Sequence, residues 1–225
     1  MPAPVKTRRY RSTVRARQAA ATRAAVLAAA RDLFTTTGYA GTTVAAVARR
    51  AEVSVDTVYA SVGRKPELLL AVHDMALGGG DEPVEAERRD YVSAIRAARG
   101  ARAKLEAYAV ALGERLPAVV PLAESLRVAA EREPACRAVL AGLDERRAAN
   151  MLVLAAELRA TGEVRPDLTD AQVAHLLWTT NSASFFLLAT AGGRGPGDYA
   201  AMVLDVWSRT LLAGQADRHP GAASD

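Results

Sequence analysis

Between Thr42 and Lys65, in TTVAAVARRAEVSVDTVYASVGRK, side chains able to bond a nucleic acid fall at helical intervals. A helix begun at Ser54 turns Val55, Asp56, Thr57, Ala60 and Ser61 to one face and Val58, Tyr59 and Val62 to the other. The first set is small or short and polar. Such a face can make hydrogen bonds and methyl contacts to base edges deep in a major groove, from which long side chains would hold the backbone away. Around it stand groups suited to phosphate oxygens: the Lys65 ammonium, the Tyr59 hydroxyl, and the hydroxyls of Thr43 and Ser54, which sit where helix N-termini favour anions. Asp56 is the exception. Phosphates repel it, whereas the N-terminal dipole favours it; its carboxylate either accepts from a cytosine amino group or only supports the cap.

Two short helices must carry these groups. Val44, Val47, Ala48 and Ala51 recur at i, i+3, i+4, i+7 and give the first helix a narrow apolar stripe, with Thr42 or Thr43 as its cap. Glu52-Val53 forms the corner, with Val53 inward, and Ser54 caps the second helix. The spacing predicts a helix-turn-helix over 42–62 with the second helix as the reader. An αα-corner of any helical protein has the same spacing, so residue identities must separate the two.

Those identities resemble the TetR/AcrR family of bacterial transcriptional regulators. The likeness runs through Phe34, Gly38-Tyr39, Thr42-Thr43-Val44, Val47-Ala48, Ala51, Val53-Ser54, Thr57-Val58-Tyr59, Lys65, Leu68-Leu69 and Ala71-Val72. Two positions depart from it. Glu52 stands where the family has Gly in a left-handed conformation, at a cost on the order of 1 kcal/mol. Val62 stands where an aromatic is usual.

The charge is arranged for the same purpose. The net charge is +4 over 225 residues, but residues 1–75 carry +7 and the remainder −3, which puts positive potential on the half with the helix-turn-helix. Residues 1–21 hold Lys6, Arg8, Arg9, Arg11, Arg15 and Arg17 with no acid and no apolar period, and are expected to be a flexible arm. The arm either follows phosphates or the minor groove, or is a solvated tail. Cys136 is the single cysteine, so no disulfide framework forms and a reducing compartment, the cytoplasm, is expected. No run approaches the roughly 18 apolar residues of a membrane span.

An apolar content of 50% without period-2 alternation predicts an all-α chain of about nine or ten helices. The expected division is a DNA-binding domain over 22–80, a larger helical domain over 81–213 and a flexible tail over 214–225. The Gly78–Pro83 break sets the boundary. Within the first domain, a helix from about Thr22 to Thr37 braces the reader. Beyond the break, Pro117 and Pro121 are expected to bend the chain between two helices, a long helix runs to Thr161, another from about Asp170 to Ala191, and the last begins near Asp198. Trp178, Phe185, Tyr199, Met202, Val206 and Trp207 lie on two helices whose apolar positions exceed one face, which points to an interface between copies, the alternative being that these helices are simply internal core. The resemblance implies the same: a homodimer whose last two helices pair, presenting two readers about 34–36 Å apart to a pseudo-palindromic double-stranded operator.

No HExxH, CxxC, GxSxG or phosphate-loop pattern occurs, so no catalytic residue, metal ligand or cofactor is expected. Polar or aromatic residues inside apolar helices are better candidates for a ligand cavity, although each is more often an ordinary core or interface group. The resemblance points to a small-molecule effector and to the helices holding His73, Tyr108, Arg127 and Asn150; Trp178 and Asn181 belong either to that pocket or to the dimer seam. The function expected is a repressor released from its operator by an effector. The alternatives are an effector-independent DNA-binding protein and a helical enzyme with a helix-turn-helix-like corner.

Overall fold

The computed structural model describes residues 6–80 and 84–214, with side chains from residue 14 onward. These residues form ten α-helices and no strand: α1 (Lys6–Gly41), α2 (Val44–Arg50), α3 (Val55–Ser61), α4 (Lys65–Gly78), α5 (Asp90–Ala97), α6 (Ala101–Ala130), α7 (Pro134–Arg159), α8 (Asp170–Thr180), α9 (Ala183–Thr190) and α10 (Pro196–Leu211). The all-helical class follows from the apolar periodicity. The expected arm falls partly, and the expected tail almost wholly, outside the described residues. From Lys6 onward the backbone is already helical, because no Gly or Pro interrupts an Ala- and Arg-rich run of good helix formers. The regular helix breaks at Gly38, whose φ of 70° is a left-handed value that favours glycine.

Contacts divide the chain into two units, Met1–Pro83 with Pro121–Val139 and Val84–Val120 with Leu140–Asp225. In the first, Val26, Leu27, Ala30 and Phe34 of α1 are buried with Val47 of α2, Val58 of α3 and Leu68, Leu69, Val72 and Met75 of α4. The brace expected of α1 is therefore present: it packs on all three following helices.

Beyond α4 the chain departs from expectation at three places. The first helix after the break, expected over about Val84 to Arg99, begins instead with a 3-10 turn over Ala86–Arg88, and α5 ends at Ala97. There the buried Lys104 ammonium donates to Ile95 O at 2.9 Å and Arg96 O at 3.2 Å, satisfying carbonyls that a helix end leaves unpaired. Secondly, α6 runs unbroken through Pro117 and Pro121. Both prolines are exposed and four residues apart, so their rings share the solvent side. Burial of Leu116, Val119, Val120, Leu122 and Leu126 offsets the two lost backbone bonds. Thirdly, the helix expected over 170–191 is two. Thr169 and Gln172 form a capping box at the start of α8, but Asn181 ends that helix and the Ser182 hydroxyl accepts from Phe185 N to start α9. Packing is close elsewhere: a Cβ at Gly113 of α6 would stand 3.0 Å from Pro196 O and 3.2 Å from Ala200 Cβ, so only glycine admits this approach of α10.

Candidate nucleic-acid interface

Local chemistry builds the corner as expected. Thr43 Oγ1 accepts from Ala46 N at 3.1 Å and starts α2; Ser54 Oγ accepts from Thr57 N at 3.1 Å and starts α3. Between them Glu52 has φ 56°, the one left-handed non-glycine value among the described residues, while Val53 N returns to Ala48 O at 3.0 Å. Glu52→Gly removes the Cβ strain and is expected to stabilise the protein by about 1 kcal/mol, read as a raised midpoint in urea. An unchanged or lowered midpoint would show that this conformation is unstrained.

The outward face of α3 is open. Val55 is 36% exposed, Asp56 and Ala60 are exposed, and Thr57 and Ser61 are half-buried, while Val58 is wholly inside; Tyr59, expected on the inner face with Val58, is instead 47% exposed. Thr57 Oγ1 lies 2.8 Å from Ser54 Oγ, so the cap also fixes the rotamer of a reading hydroxyl. Asp56 occupies the first turn of α3, where an acid matches the dipole. At the other end, the Arg23 guanidinium of α1 donates to Ser61 O and closes a terminal carbonyl of α3. The two residues are far apart in sequence, so no local pattern marks Arg23. Lys65 begins α4, its Nζ 3.9 Å from the centre of the Tyr39 ring.

The residues expected to hold an effector separate into three settings. His73, in the first unit, is buried, with Nδ1 3.4 Å from Asp74 Oδ1. Arg127 is exposed and paired with Glu124 and Glu131, and Asn150 is exposed on α7; both lie on helix surfaces and not inside them. Tyr108, Trp178 and Asn181 come together in the second unit. Asn181 Nδ2 donates to Tyr108 Oη at 2.6 Å, and the Tyr108 hydroxyl faces Met151 Sδ at 3.5 Å. Arg147 joins them. Its guanidinium bonds Asn181 Oδ1 and Trp178 O, and lies over the Trp178 ring at 5.3 Å. Burial keeps the Tyr108 hydroxyl protonated, far above the ordinary phenol range. Arg147 carries no sequence signal: it is one of many charged residues on a long amphipathic helix. A separate open groove of about 1030 Å³, lined by Arg99, Arg102, Glu106, Glu163, Arg165 and Asp167 among others, includes none of the expected effector residues.

Two of the expected interface residues need correction. Tyr199 and Trp207 are fully buried by the chain's own helices, because they share the inner stripe of α10 with Val203 and Leu211. Trp178, Phe185 and Val206 are half-buried and Met202 is 36% exposed, so these keep free surface. Leu187 and Leu188 of α9, 46% and 75% exposed, extend that apolar surface. Among the described residues no cluster of His, Cys, Asp and Glu could hold a metal ion, and no helix is long and apolar enough to cross a membrane.

Residues 26–72 match the model of the bacterial regulatory proteins of the tetR family. Solved structures share the fold over most of the chain. A TetR transcriptional regulator from Chloroflexus aurantiacus J-10-FL is 18% identical, with a TM-score of 0.63 over 88% of this chain and 100% of that one. A Saccharomonospora viridis protein solved in complex with choline is 15% identical, with a TM-score of 0.64 over 85% and 98%. A TetR-family transcriptional regulator from Thermus thermophilus is 21% identical, with a TM-score of 0.52 over 84% and 99%. No curated protein matches the chain.

Proposed function

With a tetR-family N-terminal domain over residues 26–72 as premise, we propose that the chain is a homodimeric, sequence-specific DNA-binding regulator that represses transcription in the cytoplasm until a small-molecule effector releases it. One observation carries the reading: the face of α3 from Val55 to Ser61 is slim, uncovered by its own unit, capped by Ser54 and flanked by Lys65. In this mechanism the helix lies in the major groove. Val55, Thr57, Ala60 and Ser61 meet base edges, and Asp56 accepts from cytosine. Thr43, Ser54, Tyr59 and Lys65 bond phosphates. The exposed apolar surface of Phe185, Leu187, Leu188, Met202 and Val206 pairs with a second copy, which sets two readers one helical turn apart. Effector binding shifts that spacing, with a coupling of about 1–3 kcal/mol. The protein binds, and does not turn over, its small molecule.

Selection of bound sites from random duplex DNA tests this. A palindrome with half-site centres about 10 bp apart, or a multiple of that, is expected; an unenriched pool refutes the reading. Lys65→Ala is expected to weaken binding to all duplexes alike and to reduce the salt slope by about 1 per subunit, whereas Thr57→Ala or Asp56→Ala changes the preferred sequence. Uniform losses from all three, read by fluorescence anisotropy across salt, would contradict the division of roles. One observation favours effector-independent binding instead: Asn181, Tyr108 and Arg147 satisfy one another without a ligand. A thermal-shift screen in which no small molecule raises the midpoint would favour that alternative.

A further inference from the structure

Groups far from the reading helix in sequence converge on the residue that the DNA-binding reading places at a phosphate. Tyr39 is nearly buried just after Gly38, its ring stacked on Phe34 at 6.1 Å between centroids. The Lys65 ammonium stands 3.9 Å from the centre of the Tyr39 ring. The Tyr39 hydroxyl donates to Glu133 Oε2 at 2.9 Å and accepts from Cys136 Sγ at 2.9 Å. Cys136 is fully buried, and burial raises its thiol above the ordinary range, so it remains an S–H donor. Burial, aided by Cys136 and Glu133, does the same for the Tyr39 hydroxyl. The Cys136 thiol also lies 3.5 Å from Glu133 Oε2, so thiol and phenol both direct their protons toward that carboxylate. All four residues belong to the unit formed by Met1–Pro83 and Pro121–Val139.

The arrangement offsets a local conflict. Lys65 is the first residue of α4, where the positive end of the helix dipole repels a cation, and its long side chain has many rotamers. An aromatic face attracts the ammonium through its quadrupole. A phenol that donates to a carboxylate gains electron density in its ring, which strengthens that attraction. We infer that Tyr39, itself set by Glu133 and Cys136, is the positioning residue that holds Lys65 where α4 presents it to a phosphate. The inference rests on the DNA-binding reading above and adds that operator affinity depends on side chains at 133 and 136, outside the helix-turn-helix.

Two measurements on the full chain test it. Lys6, Lys65 and Lys104 are the lysines of the chain, so Lys65 is assignable by selective ¹³C labelling. Its ε-methylene protons are expected upfield of those of Lys6 through the Tyr39 ring current, to lose that displacement in Tyr39→Leu, and to lose part of it in Glu133→Gln. The second measurement is anisotropy with the selected duplex across salt. Tyr39→Leu is expected to reproduce the Lys65→Ala loss of about tenfold together with its reduced salt slope. The double variant is expected to add less than about twofold to either, since coupled residues are not additive. Tyr39→Phe, which keeps the ring but loses the bonds to Glu133 and Cys136, is expected to fall between wild type and Tyr39→Leu. A Lys65 signal at the Lys6 position in the wild type, or multiplying losses with an unchanged slope for Tyr39→Leu, overturns the inference. If Tyr39→Leu loses its fold, Glu133→Gln decides, because Glu133 is exposed and its substitution leaves the core intact; an unmoved Lys65 signal and unchanged affinity then overturn it. If the wild type binds no duplex, the DNA-binding reading fails, while the resonance still reports whether Tyr39 holds Lys65.

Discussion

Ala60→Trp is expected to lower operator affinity by at least about 100-fold while leaving the unfolding midpoint nearly unchanged. Ala60 is exposed on α3, so the larger side chain displaces nothing within the protein. In the proposed complex it would stand between helix and groove floor. Raising the helix breaks contacts from Val55, Thr57 and Ser61, each good base contact being worth about 1–3 kcal/mol. Two subunits double the loss. Ala60→Ser, which keeps the profile slim, is expected to stay within about threefold of wild type. The measurement is anisotropy against the selected palindrome, with circular dichroism as the fold control. Retention of wild-type affinity by the Trp variant would place α3 outside the groove and remove the main support for sequence reading by this helix.

Trp207→Ala is expected to destabilise the protein by about 3–5 kcal/mol, within the range for large buried aromatics. Trp207 is fully buried, stacks on Tyr108 at 5.5 Å between centroids and donates from Nε1 to Thr180 Oγ1 at 2.9 Å. Removing it leaves a cavity and deprives Thr180 of a donor at the point where Tyr199 Oη also anchors, on Thr180 O at 2.8 Å. A domain stable by about 5–15 kcal/mol would lose much of its margin. Urea unfolding followed by circular dichroism measures this, and Trp207→Phe, which preserves the stack, is expected to cost less than half as much. A loss below about 1 kcal/mol that grows on dilution would instead put Trp207 at a surface covered by a second copy.

These two residues show why the sequence is legible in one half and less so in the other. The helix-turn-helix is written in short-range chemistry: hydroxyls at Thr43 and Ser54 three residues from the N–H they accept, apolar residues one turn apart, and a left-handed corner at Glu52. Each of these acts within a few residues; spacing predicts the caps and the apolar stripes, the family resemblance implies the left-handed corner, and the structure has all of them. In the C-terminal helices the same apolar periodicity is ambiguous. Tyr199, Met202, Val206 and Trp207 share a helix, but nothing local says which stripe faces the interior. The prolines at 117 and 121 mislead for a related reason. The cost of a proline in a helix is local, while the burial that offsets it depends on residues spread along α6.

By itself the sequence determined the all-helical class, the short capped helix from Ser54 to Ser61, and the concentration of positive charge near it, because helix periodicity, capping and charge are properties of neighbouring residues. Only the tertiary structure decided that Arg23 closes α3, that Tyr39 reaches both Lys65 and Glu133, that Arg147 and Tyr108 hold Asn181 at the break between α8 and α9, and that Trp207 is core. Each of these joins residues far apart along the chain, and such pairings depend on how helices pack, which the spacing within any one helix does not encode.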